Sequence, residues 1–371
     1  MDRRSFIFNG LAALGSLALG GVGFVHTARF GRAPQGERLR RIQASPHYRN
    51  GRFECLEPVT STLEGETMPQ ALYKMVFDDK TDRVPAQPIP AQKTDLRALP
   101  TDLDCVVWLG HTSYYLQLAG RRILIDPVFS AYGSPIWFVN QAFAGSSVYS
   151  AVDMPPIDVL LMSHDHWDHL DYPTVVALRE RIREVVCPLG VGEYFEQWGF
   201  DLAHVHEEDW FTPVDLGDGF VVHVLPSQHF SGRFLTQNNT EWCGFALTSP
   251  THQVYLSGDG GWGGHFRTIG AQFGGFDLAI MENGQYNQAW HRIHLLPEET
   301  VRAATNVGAR RVLLAHNSKF ALARHKWYEP MQQVAYLSAG QPYALLTPEI
   351  GQIVTYDSQP ENFTRWWEDT L

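Results

Sequence analysis

Cysteine is scarce in this 371-residue chain: four residues, at 55, 105, 187 and 243, with no Cys-x-x-Cys among them. That spacing excludes a thiolate zinc framework. Three pairings are open, with burial as small apolar side chains the simpler expectation. Positive charge is also short. Twenty-nine lysines and arginines face 40 acids, for a net charge of -11, so there is no basic face for a nucleic-acid backbone and no nucleic-acid partner is expected. Long apolar runs are nearly absent. Asn9–Val25 is uncharged, but it is only 17 residues long and contains five glycines, which puts it at the lower limit for a membrane span and makes it a weak helix. No internal repeat or low-complexity segment is present. Aromatics, by contrast, are plentiful, with 11 Trp, 14 Tyr and 21 Phe, enough for a core and for an apolar substrate groove besides.

Arg3, Arg4 and Phe6 precede the uncharged stretch, in the pattern of a bacterial twin-arginine export signal. The cleavage site after Ala28 is poor because His26 stands three residues before it. Residues 1–28 therefore read as a signal, removed or kept as an anchor. This places the chain in the periplasm or at a membrane; a cytoplasmic location follows if the signal reading fails. Residues 29–103 form an irregular N-terminal extension with an arginine-rich piece, Arg38–Arg41, and a proline-rich one, Val84–Pro90. Residues 104–371 are the main domain.

In that domain apolar runs recur with strand character: 105–109, 113–118, 122–126, 220–225, 244–248, 253–257, 277–281, 311–315 and 352–356. Ala119-Gly120 makes a tight turn between the second and third. Asp171 with Pro173 predicts a helix start, running to about Arg183, and Pro297-Glu298-Glu299 predicts another through Thr305.

The most informative segment is Ser163-His-Asp-His-Trp-Asp-His-Leu-Asp-Tyr172, directly after the apolar run 157–162. Imidazole and carboxylate are the ligands that suit zinc and its first-row neighbours. His164 and His166, two apart on an extended segment, face one way and can share an ion. Asp168 and His169 lie past the turn and would reach a second. Further ligands should stand just past strand ends, and His229, Asp259 and His316 each end an apolar run.

This order resembles the metallo-β-lactamase superfamily over roughly residues 104–357. The finer likeness is to the branch of N-acylphosphatidylethanolamine-hydrolysing phospholipase D, with ascorbate-phosphate lactonase-like proteins nearby. Trp108–Ser113, Ile125–Ser130, Ser163–Tyr172, Gln228-His229, Ser257–Asp259, Met281–Glu299 and Ala315–Asn317 carry it. The resemblance implies an α/β fold, an αββα four-layer sandwich with the metals at one sheet edge. It implies one metal held by His164, His166 and His229, and another by Asp168, His169 and His316, with Asp259 between them. Two divalent ions are expected, zinc first, with iron or manganese the alternatives.

A metal pair supplies an activated hydroxide at neutral pH, so the expected reaction is hydrolysis of a phosphodiester in a small molecule or a phospholipid. Asp168 would orient the nucleophile, and His294 would hydrogen-bond the phosphate or the leaving oxygen. His111 would orient a ligand or serve its own loop. His265, His291 and Asn317 lie near site segments without an assigned role. Tyr132–Phe143 would line an acyl groove, touch a membrane surface or join the core. The alternatives are a lactonase or other hydrolase of the same fold, and a non-catalytic exported metal-binding protein.

Overall fold

The computed structural model describes residues 27–59, 80–233 and 237–370. The arginine pair and the uncharged stretch to Val25 lie outside the described residues. In chain order, α1 (Gly36–Ala44) and the small hairpin β1 (Tyr48–Arg49)–β2 (Arg52–Phe53) come first. Then follow β3 (Cys105–Gly110), β4 (Ser113–Leu118), β5 (Arg121–Ile125), β6 (Ile157–Leu161), α2 (Tyr172–Leu178), β7 (Ile182–Pro188), α3 (Gly192–Gln197) and β8 (Val205–Glu208). The second half holds β9 (Pro213–Asp215), β10 (Val221–Leu225), β11 (Gly244–Thr248), β12 (Gln253–Leu256), α4 (His265–Phe273) and β13 (Leu278–Glu282). It ends with α5 (Pro297–Asn306), β14 (Arg311–Ala315), α6 (Glu329–Leu337), β15 (Ala344–Leu345) and β16 (Ile353–Thr355).

Two seven-stranded sheets result, ordered β16-β3-β4-β5-β6-β7-β8 and β15-β14-β13-β12-β11-β10-β9. Both are mixed: β5 to β8 run parallel, as do β12 to β15, while the remaining pairs are antiparallel. Ala119 and Gly120 both take positive φ, 50° and 76°, which suits the twist of a tight β4–β5 turn.

Period-two alternation assigns the layers. Val106, Trp108, Tyr114, Leu116, Ile123 and Ile125 face inward and share a core with Val222, Val224, Phe245, Leu247 and Leu256 of the other sheet. Cys105, Val107, Leu109, Tyr115 and Leu124 face outward and pack with Val175 and Leu178 of α2 and Phe195 of α3. The central strands, covered on both faces, are therefore largely apolar on both. The other sheet is covered by Phe266 and Ile269 of α4, Val301 and Ala304 of α5, and Val334 of α6. This is the αββα sandwich that the resemblance implies.

Two local expectations need correction. The helix after Asp171 stops at Leu178, passes through a 3-10 turn at Arg179–Arg181, and enters β7 at Ile182. The β-branched pair Val185-Val186 and the register with β6 outweigh helix propensity there. Nor does the Asp171 carboxylate cap a backbone N–H of its own helix. It accepts from the Thr174 hydroxyl and from the amide and hydroxyl of Ser130. Strands β7, β8, β9 and β15 went unread because their runs are short or carry charge.

Among the described residues the extension is irregular beyond α1 and its hairpin, but it is joined to the domain. Arg38 pairs with Glu193 and Glu207, whose side chains are 4% and 5% exposed. Ile42 and Phe53 enter the inter-sheet core, and Leu96 and Leu99 the outer one. All four cysteines are free thiols, three buried and Cys55 half-buried. Among the described residues no helix is long and apolar enough to cross a membrane.

Removing Arg38 would leave the buried Glu207 carboxylate without its charged partner and Glu193 with Arg32 alone, a change that costs on the order of 3–5 kcal/mol. Arg38→Met is therefore expected to lower the unfolding free energy read from a denaturant titration by that amount, against a change under about 1 kcal/mol for Arg40→Met, whose ion pair is exposed.

Candidate metal centre

The polar cluster lies where the C-terminal ends of β6, β10, β12 and β14 meet at one edge. Each apolar run drives its strand inward, and the first polar residues past its end are left on the rim. β6 delivers His164–His169, β10 leads to His229, β12 to Asp259, and β14 ends directly before His316. Gly258, with φ 60°, lets the Asp259 loop turn sharply; a Cβ there would lie 2.2 Å from the Cys243 carbonyl oxygen.

His164 Nε2 stands 2.9 Å from His166 Nδ1, and His229 Nε2 stands 3.2 Å from that same nitrogen. Burial holds these rings neutral, with His164 and His229 well below the ordinary imidazole pKa and His166 down to about 4. Neutral rings whose nitrogens converge present lone pairs to a common point, which is what a cation requires.

The second group surrounds two carboxylates. Asp259 Oδ2 lies 3.1 Å from His169 Nε2, 3.0 Å from His316 Nε2 and 3.9 Å from His229 Nε2. Asp168 Oδ2 lies 2.9 Å from His111 Nε2, 3.3 Å from His316 Nε2 and 3.7 Å from His169 Nε2. Burial opposes ionisation of both acids. The His169 charge and the surrounding imidazoles together more than offset it and hold both well below the usual carboxylate range. Burial likewise pulls down His169 and His316, yet the Asp259 and Asp168 carboxylates and the hydrogen bonds to neighbouring acids together outweigh it, raising His169 well above its usual value and His316 to about 10.

The residues fit divalent ions of the zinc type. Ligand atoms of His111, Asp168, His169 and His316 lie within 4.8 Å of one another, as do those of His164, His166 and His229, and those of His164, His169 and Asp259. Asp259 Oδ1 and His166 Nε2 are buried without a hydrogen-bond partner among the described residues, rare for such atoms and fitting for groups that would ligate a cation.

Around this cluster stands a shell that fixes it. Asp126 accepts the Ser163 amide and sits 2.9 Å from His169 Nδ1. His229 Nδ1 lies 3.0 Å from the Ile293 carbonyl, leaving Nε2 for the cluster. Glu282, 1% exposed, places Oε1 at 2.6 Å from His294 Nδ1 and 3.4 Å from His316 Nδ1, while Oε2 accepts the Leu295 amide. Arg233, also buried, donates to the carbonyls of Asp165 and Leu170 and lies 4.2 Å over the Trp167 ring, clamping the loop from both sides. His111, Asp126 and His316 all adopt left-handed φ, at 55°, 39° and 65°. Such strain costs roughly 1–3 kcal/mol per residue and collects at functional sites.

All seven residues proposed from sequence as ligands come together. His111 touches Asp168 directly, inside the cluster. His294 stacks on His316, ring centroids 5.1 Å apart. His265 packs on Phe266, His291 pairs with Glu299, and Asn317 braces backbone carbonyls of Asn283 and Ala315. Asp126, Glu282 and Arg233 were missed. The first two end apolar runs, the same signal that pointed to Asp259 and His316. Arg233 carries no local signal.

The cluster opens into a cleft of about 330 Å³. His166, Asp168, Asp259, His294 and His316 form its polar floor, and Phe230, Trp290, Ile293 and Leu322 its apolar wall. The Tyr132–Phe143 segment is rooted beside this floor, since a Cβ on Gly133 would lie 3.3 Å from Asp168 Cβ. Phe143 is buried, but Trp137 and Phe138 stand in solvent.

Comparison with known proteins agrees with this picture. The model of the beta-lactamase superfamily domain matches residues 121–317. An uncharacterized protein of Mycobacterium tuberculosis is 36% identical over 330 residues, 88% of each chain. A Caenorhabditis elegans N-acyl-phosphatidylethanolamine-hydrolyzing phospholipase D is 30% identical over 249 residues, 62% of this chain and 68% of that one. Among solved structures, a metallo hydrolase of the archaeon Ignicoccus hospitalis superposes with a TM-score of 0.52 at 20% identity, covering 68% of this chain and 97% of the other.

If the cluster holds metal, chelation is expected to lower the thermal midpoint and added zinc to restore it, with stabilisation of about 4 kcal/mol at a thousandfold excess over Kd. Asp259→Ala should abolish the response. Glu282→Gln should leave the metal stoichiometry at saturation unchanged but weaken affinity, by roughly 10–100-fold as for other groups that orient ligands. Metal titration followed by calorimetry reads both.

Proposed function

We propose that this chain, which belongs to the beta-lactamase superfamily and is a metal-dependent hydrolase of it, cleaves the phosphodiester of a membrane phospholipid of the N-acylphosphatidylethanolamine type. The observation that carries this reading is the cleft itself, with carboxylates and imidazoles on its floor, an apolar aromatic wall above them, and a histidine at their junction. A phosphodiester suits the floor and an acyl chain suits the wall.

His164, His166 and His229 would hold one divalent ion. Asp168, His169 and His316 would hold the second, with Asp259 shared. Zinc suits this ligand set best. Bound there, the ions would supply an activated water and offset charge developing on the phosphate. Asp168, fixed by His111 at 2.9 Å, orients the attacking oxygen toward phosphorus. His294 has Nδ1 committed to Glu282, so Nε2 is the atom left for the substrate. Starting as the imidazolium, with Nδ1–H donated to Glu282, it gives the Nε2 proton to the departing alkoxide oxygen as the P–O bond breaks and is left neutral. The wall formed by Phe230, Trp290, Ile293 and Leu322 takes the acyl portion and keeps bulk water away from the floor. The twin-arginine pattern of residues 3–6 suits export to the periplasm or membrane, where such lipids are within reach.

The test is hydrolysis of bis(p-nitrophenyl) phosphate and of a phospholipid by metal-loaded protein. Asp168→Asn should abolish both. His294→Ala should lose roughly 10²–10⁴-fold on the phospholipid, whose leaving alkoxide needs a proton, and far less on the p-nitrophenyl ester, whose leaving group does not. Two bound metals with no phosphodiester turnover would reject this reading.

A further inference from the structure

Ile136, Trp137 and Phe138 are consecutive and exposed, at 40%, 73% and 67%. The two aromatic rings meet edge to face at 5.2 Å. Three adjacent large apolar side chains in water are unusual for a loop, and more so here, because the root of this loop abuts Asp168 at the mouth of the cleft.

The N-terminal chain arrives at the same place. Arg29 reaches the Pro135 carbonyl at 3.5 Å, and the Phe30 ring packs on Trp167, within the metal-type loop, at 4.9 Å. Thr27 is therefore fixed beside the aromatic loop. Val25, the last residue of the uncharged stretch Asn9–Val25, precedes it by two residues, at most about 7 Å of extended chain.

We propose that this face docks on a lipid bilayer, with Ile136–Phe138 inserting at the interface. The open cleft would then face the membrane and draw its substrate from it. This rests on the phospholipid reading above for the substrate alone. Trp and Phe at the level of the headgroups are the side chains suited to such an interface. The net charge of -11 removes general attraction to anionic lipid as the driving force, so docking depends on apolar insertion and should resist salt. A protein partner would also cover an apolar loop, but it would not account for the uncharged 17-residue stretch that ends two residues before Thr27 in the sequence.

The experiment uses the full chain with vesicles of phosphatidylethanolamine and phosphatidylglycerol, some brominated in the acyl chains. Tryptophan fluorescence should be quenched equally in 0.1 M and 0.5 M NaCl, and Trp137→Phe should lose much of that quenching. The double variant Trp137→Ser/Phe138→Ser should cleave bis(p-nitrophenyl) phosphate at the wild-type rate but hydrolyse vesicle phospholipid at least tenfold more slowly. Unchanged quenching in Trp137→Phe would overturn the proposal, and so would unchanged vesicle turnover in the double variant. A dimer that the double variant dissociates, with vesicle binding unaltered, would assign the loop to self-association and overturn it too. Quenching that depends on Trp137, with no lipid cleaved by any form, would support the docking face and count against the substrate reading instead.

Discussion

A single buried carboxylate oxygen holds the centre together. Asp259 Oδ2 sits between His169 and His316 at 3.1 and 3.0 Å, with His229 at 3.9 Å. These residues come from loops of both sheets, since His169 follows β6 while Asp259, His229 and His316 follow β12, β10 and β14. Their attraction is therefore also the contact that closes the sandwich at this edge. Charges so deeply desolvated are tolerable only when paired, so these loops cannot relax independently. The strained backbone of His111, Asp126 and His316 is maintained by the same mutual constraint.

Much of this was legible in the sequence because one rule served twice. An apolar run followed by a single polar residue marks both a strand end and a candidate for the rim. It located all nine runs read as strands within a residue of their observed bounds, and it located Asp259 and His316. Asp126 and Glu282 obey the rule and went unassigned, because a carboxylate that orients a histidine looks in sequence like any carboxylate at a strand end. The β7 strand was hidden behind a helix-like stretch with charged residues at 179–184, and only its pairing with β6 settles its state. Arg233 illustrates a harder limit. Its meaning lies in two carbonyls and a ring 63 to 68 residues away, and no local pattern encodes that.

The extension also shows how composition can mislead. Irregular, arginine-rich and proline-rich sequence reads as peripheral, yet it closes over two sides of the domain. Phe53 bonds to Asn238, Cys55 donates to the His229 carbonyl, and Gln228 donates to the Glu57 carbonyl. The loop that presents His229 is thus braced from outside the domain to which it belongs.

The Arg38 network bears on the order of assembly during synthesis. Arg38 meets Glu193 and Glu207 across 155 and 169 residues of chain, and Arg32 meets Glu193 across 161. Contacts so distant in sequence close late, after the intervening chain has emerged and collapsed. A stretch made before the domain is therefore among the last to find its place, and its docking reports that the domain behind it is complete.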